Sequence, residues 1–412
     1  MNSIKKINQT NYPCMKATCS PVSPASDIGL LGMWMTCNYG AVLTSYALYR
    51  VLENMGKNVT LLDFSYTDRQ KDSETVFRKF LVQEGLSVTS MHNLENAYVF
   101  NDHFDTFMVG SDQVWNQGFL GHLFFLDFAK GEKRKIAYGP SMAEQNKPQK
   151  KCLKKNKLLL KRFDAVSVRE KSLIGYLRRY FDCDSTWVID PVFLLTKNQW
   201  MQLPRQTIKE NIPIVSYILD PTDTKRSLLL DISSKIGKPL LNMIDIQKEE
   251  INNYKLLNLP NTIEETTLYD WIDNIARCQY FITDSYHGIC FALIFNKPFI
   301  CINNSLRGSG RFHSLLGLLN LQYRMLPENA FELPEGFLLD IDYNVINSIL
   351  KPEIDRSKQW LLNSLTINRS TDLEKYSRKS EKRLTKRPPS YWKLCYRRTK
   401  KMLTGIYHRF IH

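Results

Sequence analysis

The sequence predicts an α/β protein of two domains, each built on a parallel sheet with a cleft between them, followed by a basic amphipathic helical tail. Three observations carry this expectation. The chain has 412 residues, more than one ordinary core of ~100–200 residues holds. Short apolar strands alternate with helical segments twice, over residues 25–198 and again over 199–350, the pattern of βαβ units. From 351 to 412 the pattern becomes helical and strongly basic, and residues 1–24 form a leader.

The first unit, IGLLGMWMTCNYGAVLTSYALYRVLENMGKNVTLLDF, opens as an apolar strand at about 28–35. It turns through polar residues and continues as a helix at about 41–55, which Gly56 stops before the next strand. Gly40 stands where the turn enters that helix, and the first amides there lack intrahelical partners and suit an anion or a sugar hydroxyl. The strand FDTFMV (104–109) runs directly into GSDQVWN and is followed by the apolar stretches FFLDF and RKIAYGPSM. In a parallel sheet ligands sit beyond the carboxyl ends of the strands, where Gly110, Ser111, Asp112, Trp115 and Asn116 fall. AVSV ends at Arg169 and Glu170 before a helix of about ten residues, and WVIDPVFLL (187–195) reads as the last strand of this half. The polar stretch TKNQWMQLPRQTIKENIP reads as the linker. The second half restarts with the strand IVSYIL, a helix around 223–236, the strand PLLNMI, a helix near 268–277, YFITD, PFICI and a final helical stretch.

Composition narrows the classes of function. A hydrophobic content of 43% is that of a folded soluble protein. No apolar run reaches the ~18 residues that span a bilayer, and the N-terminus lacks the apolar core of a signal peptide, so a cytoplasmic protein is expected. The nine cysteines are odd in number and form no CxxC pair or Cys/His cluster, which argues against a disulfide framework and against a metal site. The net charge of +15 is unevenly placed. From Lys375 onward thirteen Lys and Arg oppose only Glu381, so the body is nearly neutral.

Chemistry concentrates in YFITDSYHGICFALIFNKPFI, where a strand ends at Asp284 and Ser285, Tyr286 and His287 enter the first turn of an apolar helix. Asp284 and Ser285 suit helix capping. A cap needs no imidazole, so His287 is the candidate acid/base, with Gly288 beside it allowing close approach. RGSGR (307–311) sets Ser309 and two glycines between Arg307 and Arg311, a pattern that binds phosphate or carboxylate or is a plain surface loop. Arg169 at a helix start opposes the helix dipole, and Asp112 follows a glycine turn.

The motifs CNYGAVLTSYAL, GSDQVWN, VSVRE, DPVFLL, DSYHGICFALIFNKPFI and RGSGRF occur in this order, and on them the chain resembles the polysaccharide pyruvyl transferase family over roughly residues 25–350. The resemblance implies two Rossmann-like domains in a GT-B-like arrangement. It implies transfer of pyruvate from phosphoenolpyruvate to a sugar, often as a ketal across two hydroxyls, without metal or nicotinamide cofactor. The family's Asp-x-x-His-Gly histidine falls on His287 and the arginine of its VRE segment on Arg169. Some members carry an arginine two positions before the histidine, where this chain has Ser285, so Arg307 and Arg311 are the candidates for the missing charge. The expected roles are His287 and Asp112 in catalysis and Arg169, Ser285, Tyr286, Gly288, Arg307, Ser309 and Arg311 on the donor. Asn38, Tyr39, Ser111, Gln113, Trp115 and Asn116 are expected on the acceptor.

The tail PSYWKLCYRRTKKMLTGIYHRFI spaces Trp392, Tyr396, Leu403, Ile406 and Phe410 by three, four and seven with basic residues between. This is the pattern of a helix lying on an anionic membrane surface, and no nucleic acid is expected. With the resemblance, it suggests a lipid-linked oligosaccharide acceptor at the inner face of the cytoplasmic membrane during surface polysaccharide synthesis, with a galactose bridged at its 4- and 6-hydroxyls. Two other readings stand beside it: a glycosyltransferase of the same architecture using a nucleotide-sugar, and a non-catalytic assembly scaffold.

Overall fold

The computed structural model describes residues 28–34, 38–65, 76–116, 122–142, 148, 150–203, 213–245, 257–334 and 340–384. The leader, residues 204–212 of the linker and the aromatic positions of the tail lie outside the described residues. Within them the chain forms two six-stranded sheets, and every strand pairing in both is parallel.

The first sheet takes strands β1 (Ile28–Leu31), β2 (Val59–Leu61), β5 (Thr106–Val109), β6 (Arg134–Ala137), β7 (Ala165–Val168) and β8 (Thr186–Trp187), in the order β2-β1-β5-β6-β7-β8. A short pair, β3 (Phe64–Ser65) and β4 (His92–Asn93), lies apart from it. The second takes β9 (Ile214–Tyr217), β10 (Leu240–Asp245), β11 (Thr262–Thr266), β12 (Tyr280–Thr283), β13 (Phe299–Ile302) and β14 (Met325–Leu326), ordered β11-β10-β9-β12-β13-β14. Its first strand is central and the order reverses between β9 and β12, the doubly wound arrangement that opens a crevice at the strand ends. In the first sheet the reversal lies between β1 and β5. The expected α/β fold of two Rossmann-like halves is the one the chain adopts.

Local signals explain the helices. Helix α1 (Tyr39–Asn54) is capped by Asn38, whose side chain accepts from the Ala41 amide. The first half also holds α2 (Val76–Gln83), α3 (Lys150–Leu160), α4 (Lys171–Phe181) and the single turn α5 (Lys197–Trp200). Helix α6 (Asp223–Ile236) starts on Thr222 and stops at the left-handed Gly237, and α7 (Leu268–Arg277) carries a capping box of Thr267 and Asp270. Helices α8 (Tyr286–Ile294), α9 (Gly310–Leu318), α10 (Tyr343–Thr366) and α11 (Thr371–Leu384) complete the described chain.

Two stretches depart from the sequence reading. WVIDPVFLL is not one strand: β8 ends at Trp187 and Pro191–Leu194 form a 3-10 turn capped by Asp190. Proline cannot donate to a strand ladder, and the Asp190 carboxylate offers the Val192 amide a local partner instead. FFLDF likewise overlaps a 3-10 turn, Leu123–Phe125, ended by a left-handed Leu126.

The largest apolar cluster joins the first sheet to the inner helices of the second half, with Phe291 packed on Trp200 and Trp271. A second cluster, with Ile214, Leu228, Ile282 and Ile300, fills the rest of the second half. Helix α10 begins on the second half, where the Tyr343 hydroxyl donates to the Lys297 carbonyl, and ends on the first. There Ser357 accepts from the Ile189 amide at 3.0 Å and Arg134 donates to the Leu365 carbonyl. Residue 351, the sequence boundary of the tail, therefore falls inside a helix that ties the halves together. Helix α11 continues on the first half through the Gly131 amide, which donates to Glu381, and through Arg369, paired with Asp164 at 2.9 Å. No helix among the described residues is long and apolar enough to cross a membrane.

Candidate functional site

The site forms where the two order reversals face each other. From the first half come α1 behind β1, Asp112 behind β5, Arg169 and Glu170 behind β7, and Asp190 behind β8. From the second come Tyr286 and His287 at the start of α8, behind β12, and Arg311 in α9.

His287 reaches across to the first half. Its Nε2 lies 3.0 Å from Thr44 Oγ1, 3.4 Å from Arg169 Nη1 and 3.5 Å from Asp190 Oδ2. A protonated Nε2 has a carboxylate to meet, and a bare Nε2 has a hydroxyl and a guanidinium, so both states are partnered. The ring lies flat enough on α1 that a Cβ added at Gly40 would stand 2.1 Å from its Nδ1. The glycine is thus required by the histidine's approach.

Arg169 is the hub. Nη1 donates to Asp190 Oδ2 at 2.6 Å, Nη2 to Asp112 Oδ1 at 3.3 Å, and Nε lies 3.6 Å from Glu170 Oε1. Its guanidinium also stacks 4.7 Å from the centre of the Tyr286 ring, and Arg311 stacks 5.3 Å from the same ring. Arg311 Nη1 approaches Asp112 Oδ1 at 3.8 Å, and its Nη2 donates to the Arg307 carbonyl.

The carboxyls of this cluster differ in character. Burial pushes Asp112 up, but His287, Arg169 and Arg311 outweigh it and hold it below its ordinary value. Asp190 is buried too, yet its hydrogen bond to His287 and the charge of Arg169 hold it far down. Burial raises Glu170, and Arg169 does not reverse this. Burial opposes the charge of Arg169, but Asp190, Tyr286 and Asp112 hold its proton more firmly than usual; Arg311, desolvated and facing Arg169, holds its own less firmly.

The structure gathers His287, Asp112, Arg169, Arg311 and Tyr286. Ser285 caps α8, accepting from the Gly288 amide, and a Cβ at Gly288 would meet Thr283 Oγ1 at 2.9 Å, so that glycine serves close packing of α8 on β12. Arg307 is engaged by Asp220, with Nε and Nη2 donating to its two oxygens at 2.5 and 3.0 Å. Its carbonyl accepts from Gln113 Nε2, a link between the halves. Ser309 occupies the N-cap of α9 without a side-chain cap bond. Asn38 caps α1, Ser111 donates to the Gly139 carbonyl, and Asn116 stands partly exposed after the turn. Asp112 itself has φ 77°, a left-handed conformation that Asp tolerates and that turns its carboxylate toward Arg169.

Two acceptor candidates are placed elsewhere. Tyr39 is fully buried among Phe77, Tyr217 and Trp271, with its hydroxyl donating to the Thr266 carbonyl. Trp115 stacks on Phe125 in the core and donates its indole N–H to the Phe124 carbonyl. Both are amphipathic rings whose polar atom found a backbone partner inside. Conversely, Asp190, Thr44 and Glu170 join the site without having been singled out. Asp190 had a usable signal, an Asp-Pro at a strand end; Thr44 had only its place one helical turn after Gly40.

Two parallel sheets meeting at a buried cluster of guanidinium, carboxylate and imidazole define a two-domain α/β protein with the equipment for proton transfer and anion binding. The polysaccharide pyruvyl transferase family model matches residues 38–305, and the chain belongs to that family. No curated protein sequence matches the chain. Among solved structures, Anabaena HepE in complex with UDP and glucose is similar at 11% identity and TM-score 0.49, covering 88% of this chain and 100% of its own. The Escherichia coli ADP-heptose lipopolysaccharide heptosyltransferase II is similar at 13% identity and TM-score 0.37, covering 80% and 99%. The Neisseria meningitidis UDP-GlcNAc 2-epimerase is similar at 11% identity and TM-score 0.43, covering 87% and 98%. None of the chemistry below rests on these three likenesses.

Proposed function

We propose that this protein moves pyruvate from phosphoenolpyruvate to a hexose of a lipid-linked oligosaccharide, closing a ketal across two hydroxyls. The observation that carries this reading is His287 Nε2 held among Thr44, Arg169 and Asp190, with Arg169 and Arg311 both stacked on the Tyr286 ring. Protonation of the enol carbon makes its neighbour electrophilic, a sugar hydroxyl attacks, phosphate leaves and a second hydroxyl completes the ketal. Arg169 and Arg311 meet the phosphate and carboxylate of the donor, and Asp112 orients the acceptor. His287, backed by Asp190, moves the hydroxyl proton.

The test is incubation with phosphoenolpyruvate and a lipid-linked galactose-terminated acceptor, following phosphate release and acceptor mass. A gain of one pyruvate ketal with phosphate released in step supports the reading. Protection from melting by nucleotide diphosphates and not by phosphoenolpyruvate would replace it with nucleotide-sugar transfer. His287→Ala is expected to leave the fold intact and lower turnover by ~10²–10⁴; retention of more than a few per cent removes His287 from the mechanism.

The basic tail supports a membrane-bound acceptor. Because α11 runs to Leu384 and touches the first half through Arg378 and Glu381, the informative truncation removes 385–412. It is expected to abolish sedimentation with anionic vesicles while leaving activity on a soluble acceptor, and unchanged sedimentation would defeat the docking role.

A further inference from the structure

Glu170 follows β7 and stands at the N-cap position of α4, yet its side chain makes no capping bond. It is 3% exposed, with the Ser141 hydroxyl as its hydrogen-bonding neighbour and no forked bond to an arginine. The groups facing it come from five elements: Arg169 at the end of β7, with Nε at 3.6 Å, Ser141 after β6, Asp112 after β5, Tyr286 in α8 and Arg311 in α9. A buried carboxylate between two arginines would ordinarily form forked hydrogen bonds to them. Here Asp190 and Asp112 take the terminal nitrogens of Arg169, and Arg311 turns Nη2 to a carbonyl. The Nε atoms of both arginines are buried without hydrogen-bond partners, and the Glu170 carboxyl meets Ser141 and, at 3.6 Å, Arg169 Nε. These groups belong to the cluster to which the donor's phosphate and carboxylate are assigned above.

We propose that Glu170 is the acid that protonates the enol carbon of phosphoenolpyruvate, leaving His287 to accept the proton of the attacking hydroxyl. The assignment rests on the pyruvyl-transfer reading above. Two proton movements are needed in opposite directions, onto the enol carbon and off the attacking hydroxyl, and the site holds a carboxyl and an imidazole, one group for each. Burial pushes Glu170 up while Asp112 and Asp190 of the same cluster are held below their ordinary values, and such divergence separates acid from base in one site. The π pair of the enol takes the Glu170 proton, forming the methyl group and an electrophilic C2. The acceptor oxygen bonds to C2 as its proton passes to His287, and the C2–O bond to phosphorus then breaks with its electron pair leaving on phosphate. The second hydroxyl bonds to C2. Of the two hydroxyl protons released, one restores Glu170 and the other departs on phosphate. The transient Glu170 carboxylate is stabilised by Arg169 and Arg311.

The experiment compares the full chain with Glu170→Gln and Glu170→Asp, measuring ketal formation against pH and protection from melting by phosphoenolpyruvate. Glu170→Gln is expected to keep that protection, to lose turnover about a hundredfold or more, and to lose the basic limb of the kcat/KM profile. Glu170→Asp is expected to retain part of the turnover with that limb moved. Turnover of Glu170→Gln within threefold of the parent and an unchanged profile overturn the assignment. Should Glu170→Gln not fold, Glu170→Asp decides: a moved limb supports the acid role and an unmoved one overturns it. If the parent protein itself neither releases phosphate nor is protected by phosphoenolpyruvate, the transfer reading falls and the assignment with it.

Discussion

Gly40 and His287 show how one contact joins two halves separated by 247 positions of sequence. The imidazole lies against the backbone of α1, so Gly40→Ala would put a methyl 2.1 Å from Nδ1. Overpacking of this kind costs about 1–3 kcal/mol, and the ring is expected to leave Thr44 and Asp190 to relieve it. Gly40→Ala is therefore expected to lower kcat at least tenfold while phosphoenolpyruvate still protects the protein from melting; undiminished kcat would mean that the contact is not needed in the working state. His287 and Arg169 were legible in the sequence through their places at strand ends together with the family motifs on which they fall. Asp190 was not singled out, since an Asp before Pro is also an ordinary cap, and it is both here: Oδ1 caps the 3-10 turn and Oδ2 meets Arg169. Trp115 and Tyr39 misled for the converse reason, as a large ring at a strand end looks like a sugar platform until its polar atom is seen to be spent on a carbonyl inside.

At the scale of elements, the strand–helix alternation read from the sequence is the alternation the chain forms, and α6 runs over the expected 223–236. Thr222 and Gly237 fix that helix locally, without help from the rest of the molecule. The failures were at WVIDPVFLL and FFLDF, where apolar residues are buried by tertiary contacts in turns rather than strands, and hydrophobicity alone does not distinguish the two. Helices α10 and α11 have a role that no pattern announced. They strap the second half to the first, and Arg369 is the fastening, paired with an Asp164 carboxylate that is itself buried. Arg369→Ala leaves that carboxylate without its cation, a loss of roughly 1–3 kcal/mol. Hydrogen exchange over 371–384 is expected to quicken while β5 and β12 stay protected; unchanged exchange would show that α11 is held by its other contacts.

Across the whole molecule, carboxylates of the first half meet basic side chains of the second. Asp190 faces His287 and Asp112 faces Arg311, and both carboxyls are held below their ordinary values. A depressed carboxyl contributes stability that is full above its unfolded value, ~3.9, and is lost as pH falls through the folded one. Glu170, raised by burial, works in the opposite sense and contributes at low pH. The halves are expected to stay closed at pH 5 and to separate only well below pH ~4, seen as a rise in radius of gyration by small-angle scattering. Asp190→Asn should weaken that acid response, and an unaltered response would place the acid sensitivity elsewhere. By itself the sequence determined the two α/β halves, their strand ends, the charged motifs and, through their order, the family, because periodicity, caps and glycine turns act over a few residues. Only the tertiary structure decided which charges share one buried volume. Asp220 takes the fork of Arg307, Arg169 is divided between Asp190 and Asp112, and burial pushes Glu170 up, since burial and pairing depend on side chains that meet only when the two sheets face each other.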